Sequence, residues 1–122
     1  MVRNHPSRAP VLKPRFRVEC GRGIALGPGK IELLALLQET QSLSEAARRM
    51  QMSYMRAWTL VKEMNRCFRK PVAVASRGGA RGGGMRLTDS GLLVLDLYRG
   101  IESAALKSAE RCWREMRSLL RP

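Results

Sequence analysis

The stretch Ser42-Leu43-Ser44-Glu45-Ala46-Ala47-Arg48-Arg49-Met50-Gln51-Met52-Ser53-Tyr54-Met55-Arg56-Ala57-Trp58-Thr59-Leu60-Val61-Lys62 decides the fold. Two capping signals lie inside it. Ser42 or Ser44 precedes a short run of good helix formers, and Ser53 precedes a longer one; a serine hydroxyl accepts from the amides that a helix start leaves unpaired. Gln51-Met52 interrupts the pattern between the two. Beyond Ser53, the residues Ala57, Leu60, Val61, Met64 and Phe68 recur at helical spacing and mark a buried side, and Pro71 closes the segment. At about 100° per residue, Met55, Thr59, Lys62 and Arg66 point the opposite way. Trp58 falls on the border and is assigned to the core, where its large apolar body gains most.

Working upstream, Gly27-Pro28-Gly29 is a turn whose proline can open a helix, and Ile31, Leu34, Ala35 and Leu37 continue it to the region of Thr40. Phe16, Val18 and Cys20 alternate with Arg15, Arg17 and Glu19 as in a short half-buried strand, broken by Gly21 and Gly23. Residues 1–14 hold Arg3, Arg8 and Lys13 with no acid and no apolar period, which predicts a flexible basic arm. Downstream, Val72 with Val74 and Met85 with Leu87 read as two strands of a hairpin whose tip is the glycine-rich run from Arg77 to Gly84. Thr88-Asp89 caps a last helix running from Ser90 to the region of Leu120, roughly 45 Å at 1.5 Å per residue. Leu95, Tyr98, Ile101, Ala105, Cys112, Met116 and Leu119 follow near-heptad spacing along it, a seam that calls for a partner helix from a second copy.

The elements together predict a mostly α fold with a small β hairpin: a winged helix-turn-helix followed by a long C-terminal dimerisation helix. The expected division is a basic arm over 1–14, a DNA-binding winged helix-turn-helix over 15–88 and a dimerisation helix over 89–122.

Composition narrows the function. The 122 residues carry 23 Lys and Arg against 10 Asp and Glu, a formal net charge of +13, whose long-range field attracts polyanions. No apolar run approaches the roughly 20 residues that span a bilayer, so no membrane partner and a cytoplasmic location are expected. Three cysteines at wide spacing, with His5 the one imidazole, predict neither a disulfide framework nor a metal site. The acids are scattered without a convergent pair, so neither catalytic residues nor a cofactor is expected, and no small-molecule ligand is evident; the chain is read as no enzyme. The glycine-rich run lacks the Lys-Ser/Thr ending of a nucleotide-cradling loop.

Double-stranded DNA is the partner this pattern favours. The second helix of such a pair enters the major groove, which assigns DNA contact to Ser44, Ser53, Tyr54, Met55, Arg56, Thr59, Lys62 and Arg66, with Arg77 and Arg81 of the hairpin tip placed against phosphates. The dimer interface is assigned to Leu95, Tyr98, Ile101, Ala105, Cys112, Met116 and Leu119. The competing reading is an interaction protein that uses the same fold to dock a protein or RNA partner. Nonspecific nucleoid-type binding through the arm and hairpin tip alone is a third.

Leu43-Ser44-Glu45-Ala46-Ala47, the run from Met52 to Trp58 continuing to Lys62-Glu63-Met64-Asn65, and a glycine-rich segment ending in Leu87-Thr88 resemble the N-terminal DNA-binding domain of the ModE-type molybdate-responsive transcriptional regulators, a LysR-like winged helix. The likeness covers about residues 24–120. It implies a homodimer joined through its first and last helices, transcription regulation at an inverted repeat, and DNA contact by Ser53, Tyr54, Arg56, Lys62 and Arg81. Family members continue into β-barrel modules that bind molybdate. The chain stops at Arg121-Pro122, which predicts a stand-alone DNA-binding member without its own molybdate sensor.

Overall fold

Helix starts follow the capping residues. Pro28 opens α1 (Pro28–Thr40), where the Ile31 amide donates to the Gly27 carbonyl at 2.9 Å. Gln41, in the left-handed region at φ 53°, ends it. Ser42 then starts α2 (Leu43–Arg49), its hydroxyl accepting from the Glu45 amide at 3.0 Å. Ser53 does the same for α3 (Tyr54–Cys67) with the Arg56 amide at 3.0 Å, and Thr88 for α4 (Asp89–Arg117) with the Gly91 amide at 3.0 Å. The computed structural model describes residues 9–77 and 84–122.

Two antiparallel hairpins flank the helices. In the first, β1 (Val18–Cys20) pairs with β2 (Gly23–Leu26) through a turn that brings Gly23 to φ 128°, a conformation L side chains rarely adopt. In the second, β3 (Ala73–Ala75) pairs with β4 (Met85–Leu87), Ala73 facing Leu87 and Ala75 facing Met85. Gly84 also bridges to Ser42, and the Met85 amide donates to the Gln41 carbonyl, so this hairpin leans on the α1–α2 junction.

One core joins the elements. Leu33, Leu34 and Leu37 of α1, Leu43, Ala46 and Ala47 of α2, and Ala57, Val61 and Met64 of α3 are buried together with Val72, Met85, Leu95 and Tyr98. The alanines let α2 and α3 approach closely. Lys30 is buried as well; its ammonium pairs with Glu63 at 3.0 Å and donates to the Ile24 carbonyl, which satisfies the charge and ties α1, α3 and β2 together.

A polar clamp sets the end of α3. The Asn65 carboxamide donates to the Ala73 carbonyl at 3.0 Å and accepts from the Val72 amide at 2.7 Å, so one side chain supplies both bonds that the extended segment needs. Val72 in turn accepts from the Thr88 amide at 3.0 Å, and the Thr88 hydroxyl donates to the Pro71 carbonyl at 2.6 Å. This brings the first turn of α4 so near that a Cβ on Gly91 would lie 2.0 Å from the Val72 oxygen.

Three sequence expectations are corrected by these elements. The predicted architecture, a winged helix-turn-helix with one hairpin and a dimerising helix, gives way to four helices and two separate two-stranded sheets. Gly21 and Gly23, read as breaking a lone strand, instead reverse the chain so that β2 pairs with β1. The expected hairpin tip, with Arg81, falls in 78–83, outside the described residues. Disulfide chemistry was discounted on spacing, yet Cys20 and Cys67 are joined, their Cα atoms 6.3 Å apart, because the end of β1 packs beside the end of α3. Closing a separation of 47 residues stabilises the fold by roughly 4 kcal/mol in the chain-entropy account.

Gly91→Ala is expected to destabilise the protein by about 2–3 kcal/mol in urea denaturation, since the methyl meets rigid backbone. Gly100, in the same helix with open space at its Cβ position, is the internal control, and Gly100→Ala should stabilise by about 0.5–1 kcal/mol. Equal effects at the two positions would contradict the close approach.

Candidate nucleic-acid interface

α3 has two unlike sides, and the core fixes which one faces outward. Ala57, Leu60, Val61 and Met64 are buried, while Ser53, Tyr54, Met55, Arg56, Thr59, Lys62 and Arg66 are all exposed. The sequence-assigned residues of this helix therefore share one surface. Within it the Ser53 hydroxyl is occupied in capping, and the Thr59 hydroxyl donates to the Met55 carbonyl at 2.9 Å, leaving its lone pairs outward. Trp58 is half-buried against the core. Ser44 is exposed on α2 and Arg77 is exposed at the edge of the second hairpin. Arg81 lies outside the described residues.

The charges on this surface differ in availability. The one acid of α3, Glu63, turns away to Lys30, and among the described residues no carboxylate pairs with Arg56, Lys62 or Arg66. Arg48 and Arg49 of α2 are committed instead. Arg48 pairs with Glu45, and Arg49 with Glu45 at 3.1 Å and Glu39 at 2.6 Å. Hydrogen bonds from Arg48 and then Arg49 hold the Glu45 carboxyl at about 2, well below its ordinary range. The pairs therefore persist until pH falls through that value. An arginine held this way offers a polyanion less than its formal charge, so α3 rather than α2 carries the usable field.

The cationic surface continues past the C-terminal end of α3. A cavity of about 310 Å³ is lined by Cys20, Gly21, Arg22, Arg66, Cys67, Phe68 and Arg69. Sequence reasoning stopped at Arg66 and missed Arg22 and Arg69. The basic cluster after Cys67 was visible, whereas Arg22 arrives only through the β1–β2 turn.

The dimer assignment divides. Leu95 and Tyr98 are buried in the chain's own core and cannot form a seam with a second copy. Burial also raises the Tyr98 hydroxyl above its usual value, and that hydroxyl donates to the Phe16 carbonyl at 2.6 Å. Ile101, Cys112, Met116 and Leu119 are exposed, Leu119 beyond the end of α4. Ala105 is half-buried in a groove that Leu12, Pro14 and Phe16 share with Leu106 and Ala109. Part of the segment read as a free arm thus runs along α4. Among the described residues no helix is long and apolar enough to cross a membrane.

The molybdenum-pterin-binding protein MopB of Rhodobacter capsulatus is 38% identical over 95 residues, a match covering 72% of this chain and 35% of that protein. The molybdenum transport protein ModE of Azotobacter vinelandii is 34% identical over 88 residues, covering 72% of this chain and 33% of the relative. The transcriptional regulator ModE of Haemophilus influenzae is 29% identical over 85 residues, covering 70% and 33%. The chain spans about a third of the length of these curated relatives. No family model matches it.

These likenesses correct the functional expectation. A stand-alone winged-helix regulator without a molybdate sensor or small-molecule ligand has no support in relatives named for molybdenum-pterin binding and molybdenum transport. None of those names carries a helix-turn-helix or LysR-type assignment. Transcription enters only through the relatives named as regulators.

Glu45→Gln is expected to release Arg48, while Arg49 keeps its pair with Glu39, and to raise the salt needed to elute the protein from heparin, with the salt slope steeper by about one. Unchanged elution would mean that the Arg48 guanidinium already reaches the polyanion.

Proposed function

We propose that the chain takes part in molybdenum-responsive control of transcription, with duplex DNA as its polyanionic target and a molybdate-class oxyanion as the signal to which the protein answers. The observation that carries the DNA half is the outward side of α3, where Arg56 near the capped start and Lys62 and Arg66 further along have no acid partner among the described residues. In this reading the guanidinium and ammonium groups neutralise phosphates, and Tyr54, Met55 and Thr59, exposed on the same helix, are assigned to base edges. The molybdenum half is supported by the names of the relatives.

An enclosed oxyanion cage does not fit the described residues. The buried cation among them, Lys30, is already spent on Glu63 and the Ile24 carbonyl, and no buried side-chain donor is left without a partner. The cations open to such an oxyanion are exposed ones, such as Arg22, Arg66 and Arg69 at the end of α3. The role is binding rather than catalysis, and it is exercised in the cytoplasm, where DNA and molybdate meet.

A homodimer is part of the same reading. Leu93, Leu97 and Ile101 form an exposed apolar row at four-residue spacing on α4, beside the buried Leu95 and Tyr98. A second copy covering that row would present a second α3 to the same duplex. Leu97→Glu should then halve the mass found by light scattering.

Fluorescence anisotropy of a labelled duplex, titrated with and without sodium molybdate and with sodium sulfate as the control anion, tests the whole. Lys62→Ala with Arg66→Ala should weaken duplex binding about tenfold or more and lower the salt slope by about two. Molybdate, but not sulfate, should shift the wild-type curve. Full affinity in the double variant overturns the DNA half, and identical curves in the two anions overturn the molybdenum half.

A further inference from the structure

The Cys20–Cys67 disulfide does not sit in the core; it forms one wall of the arginine-lined cavity at the C-terminal end of α3. Both cysteines are only half-buried. Arg22, Arg66 and Arg69 line the same cavity as the two cysteines, and no acid is among its lining residues. Thiol–disulfide exchange proceeds by attack of a thiolate, so a cationic entrance concentrates attackers that carry negative charge. The two sulfurs are also unequal as leaving groups. The Arg22 amide donates to the Cys20 sulfur at 3.4 Å, a bond that strengthens when that sulfur becomes a thiolate. Cys67 is the last residue of α3, at the negative end of the helix dipole, where a thiolate is disfavoured.

We infer that Cys20–Cys67 is a reversible thiol–disulfide site that reacts preferentially with anionic low-molecular-weight thiols and is modified at Cys67. The incoming thiolate attacks the Cys67 sulfur. A new bond forms there, the Cys20–Cys67 bond breaks, and its electron pair departs on Cys20, held by the Arg22 amide. A second thiolate attacks the incoming sulfur, releasing the Cys67 thiolate and one molecule of the small disulfide. The protein disulfide is reduced by two electrons and two small thiols are oxidised. The reverse sequence closes the bond. When it opens, the β1–β2 hairpin loses its covalent tie to the end of α3. The inference stands apart from the DNA reading, because its readout is sulfur chemistry.

The test uses Cys112→Ser, which removes the exposed third thiol. The oxidised protein is treated with reduced glutathione or with cysteamine, rates are expressed per thiolate, and the first adduct is located by peptide mass spectrometry. Glutathione should outpace cysteamine by about tenfold at low salt. The advantage should fall in Arg22→Gln and Arg69→Gln and shrink at high salt. The first adduct should be on Cys67. Equal rates for the two thiols, an adduct mainly on Cys20, or two free thiols in air-oxidised protein would overturn the inference. The rate comparison on unsubstituted arginines stands even if an arginine variant fails to fold.

Discussion

The Asn65 carboxamide is the contact on which the arrangement depends. It sits near the end of α3 and makes both hydrogen bonds required by the segment at Val72 and Ala73. That segment is extended and half-enclosed, so its amide and carbonyl cannot turn to water, and leaving either unmade costs about 1–3 kcal/mol. From there the constraint passes to Thr88 through the Val72 carbonyl, and to α4 through the gap that only a glycine at 91 leaves open. The rotation of α3 about its own axis, and hence the direction its cations face, follows from this clamp at one end, the Ser53 cap at the other and the Lys30–Glu63 pair between them.

That rotation separates two kinds of basic residue that a charge count treats alike. Arg48 and Arg49 lie one helix away from Lys62 and Arg66, yet their charge is answered by Glu45 and Glu39. A net charge of +13 says that the chain seeks a polyanion. The pairing pattern supports the proposed α3 side for that contact, because a phosphate gains most from a cation with no carboxylate to give up. The same α3 ends in the Cys20–Cys67 link, so its far terminus is tied covalently to a hairpin that shares none of its backbone bonds.

Local signals were legible wherever one residue type decides the outcome. Ser42, Ser53 and Thr88 announce helix starts because few side chains can accept from a first-turn amide, and the spacing of Ala57, Val61 and Met64 announces which side of α3 is buried. What stayed hidden depends on contacts far apart in sequence. The β1–β2 hairpin turns on Gly23 at positive φ, and glycine there reads equally well as a break. Cys20 and Cys67 meet only after that hairpin packs on α3. Leu95 and Tyr98 fit a heptad, but a heptad does not say whether the facing surface belongs to a partner or, as here, to the chain's own α1 and the backbone at Phe16. Molybdenum entered through the family that Leu43–Ala47, Met52–Asn65 and Leu87-Thr88 resemble, but the expectation that no molybdate sensor is involved is corrected by relatives named for molybdenum, because no residue pattern in the chain spells out an oxyanion site.

Amide chemical-shift mapping during titration with a short duplex measures the central point most directly, since it reports which surface meets the polyanion without altering a residue. The shifts should concentrate on residues 53–66, with the exposed positions of α3 moving most and Ser44 and Arg77 following. Shifts confined to α4 or to the β1–β2 hairpin, with α3 silent, would contradict the assignment of the outward α3 side as the nucleic-acid interface.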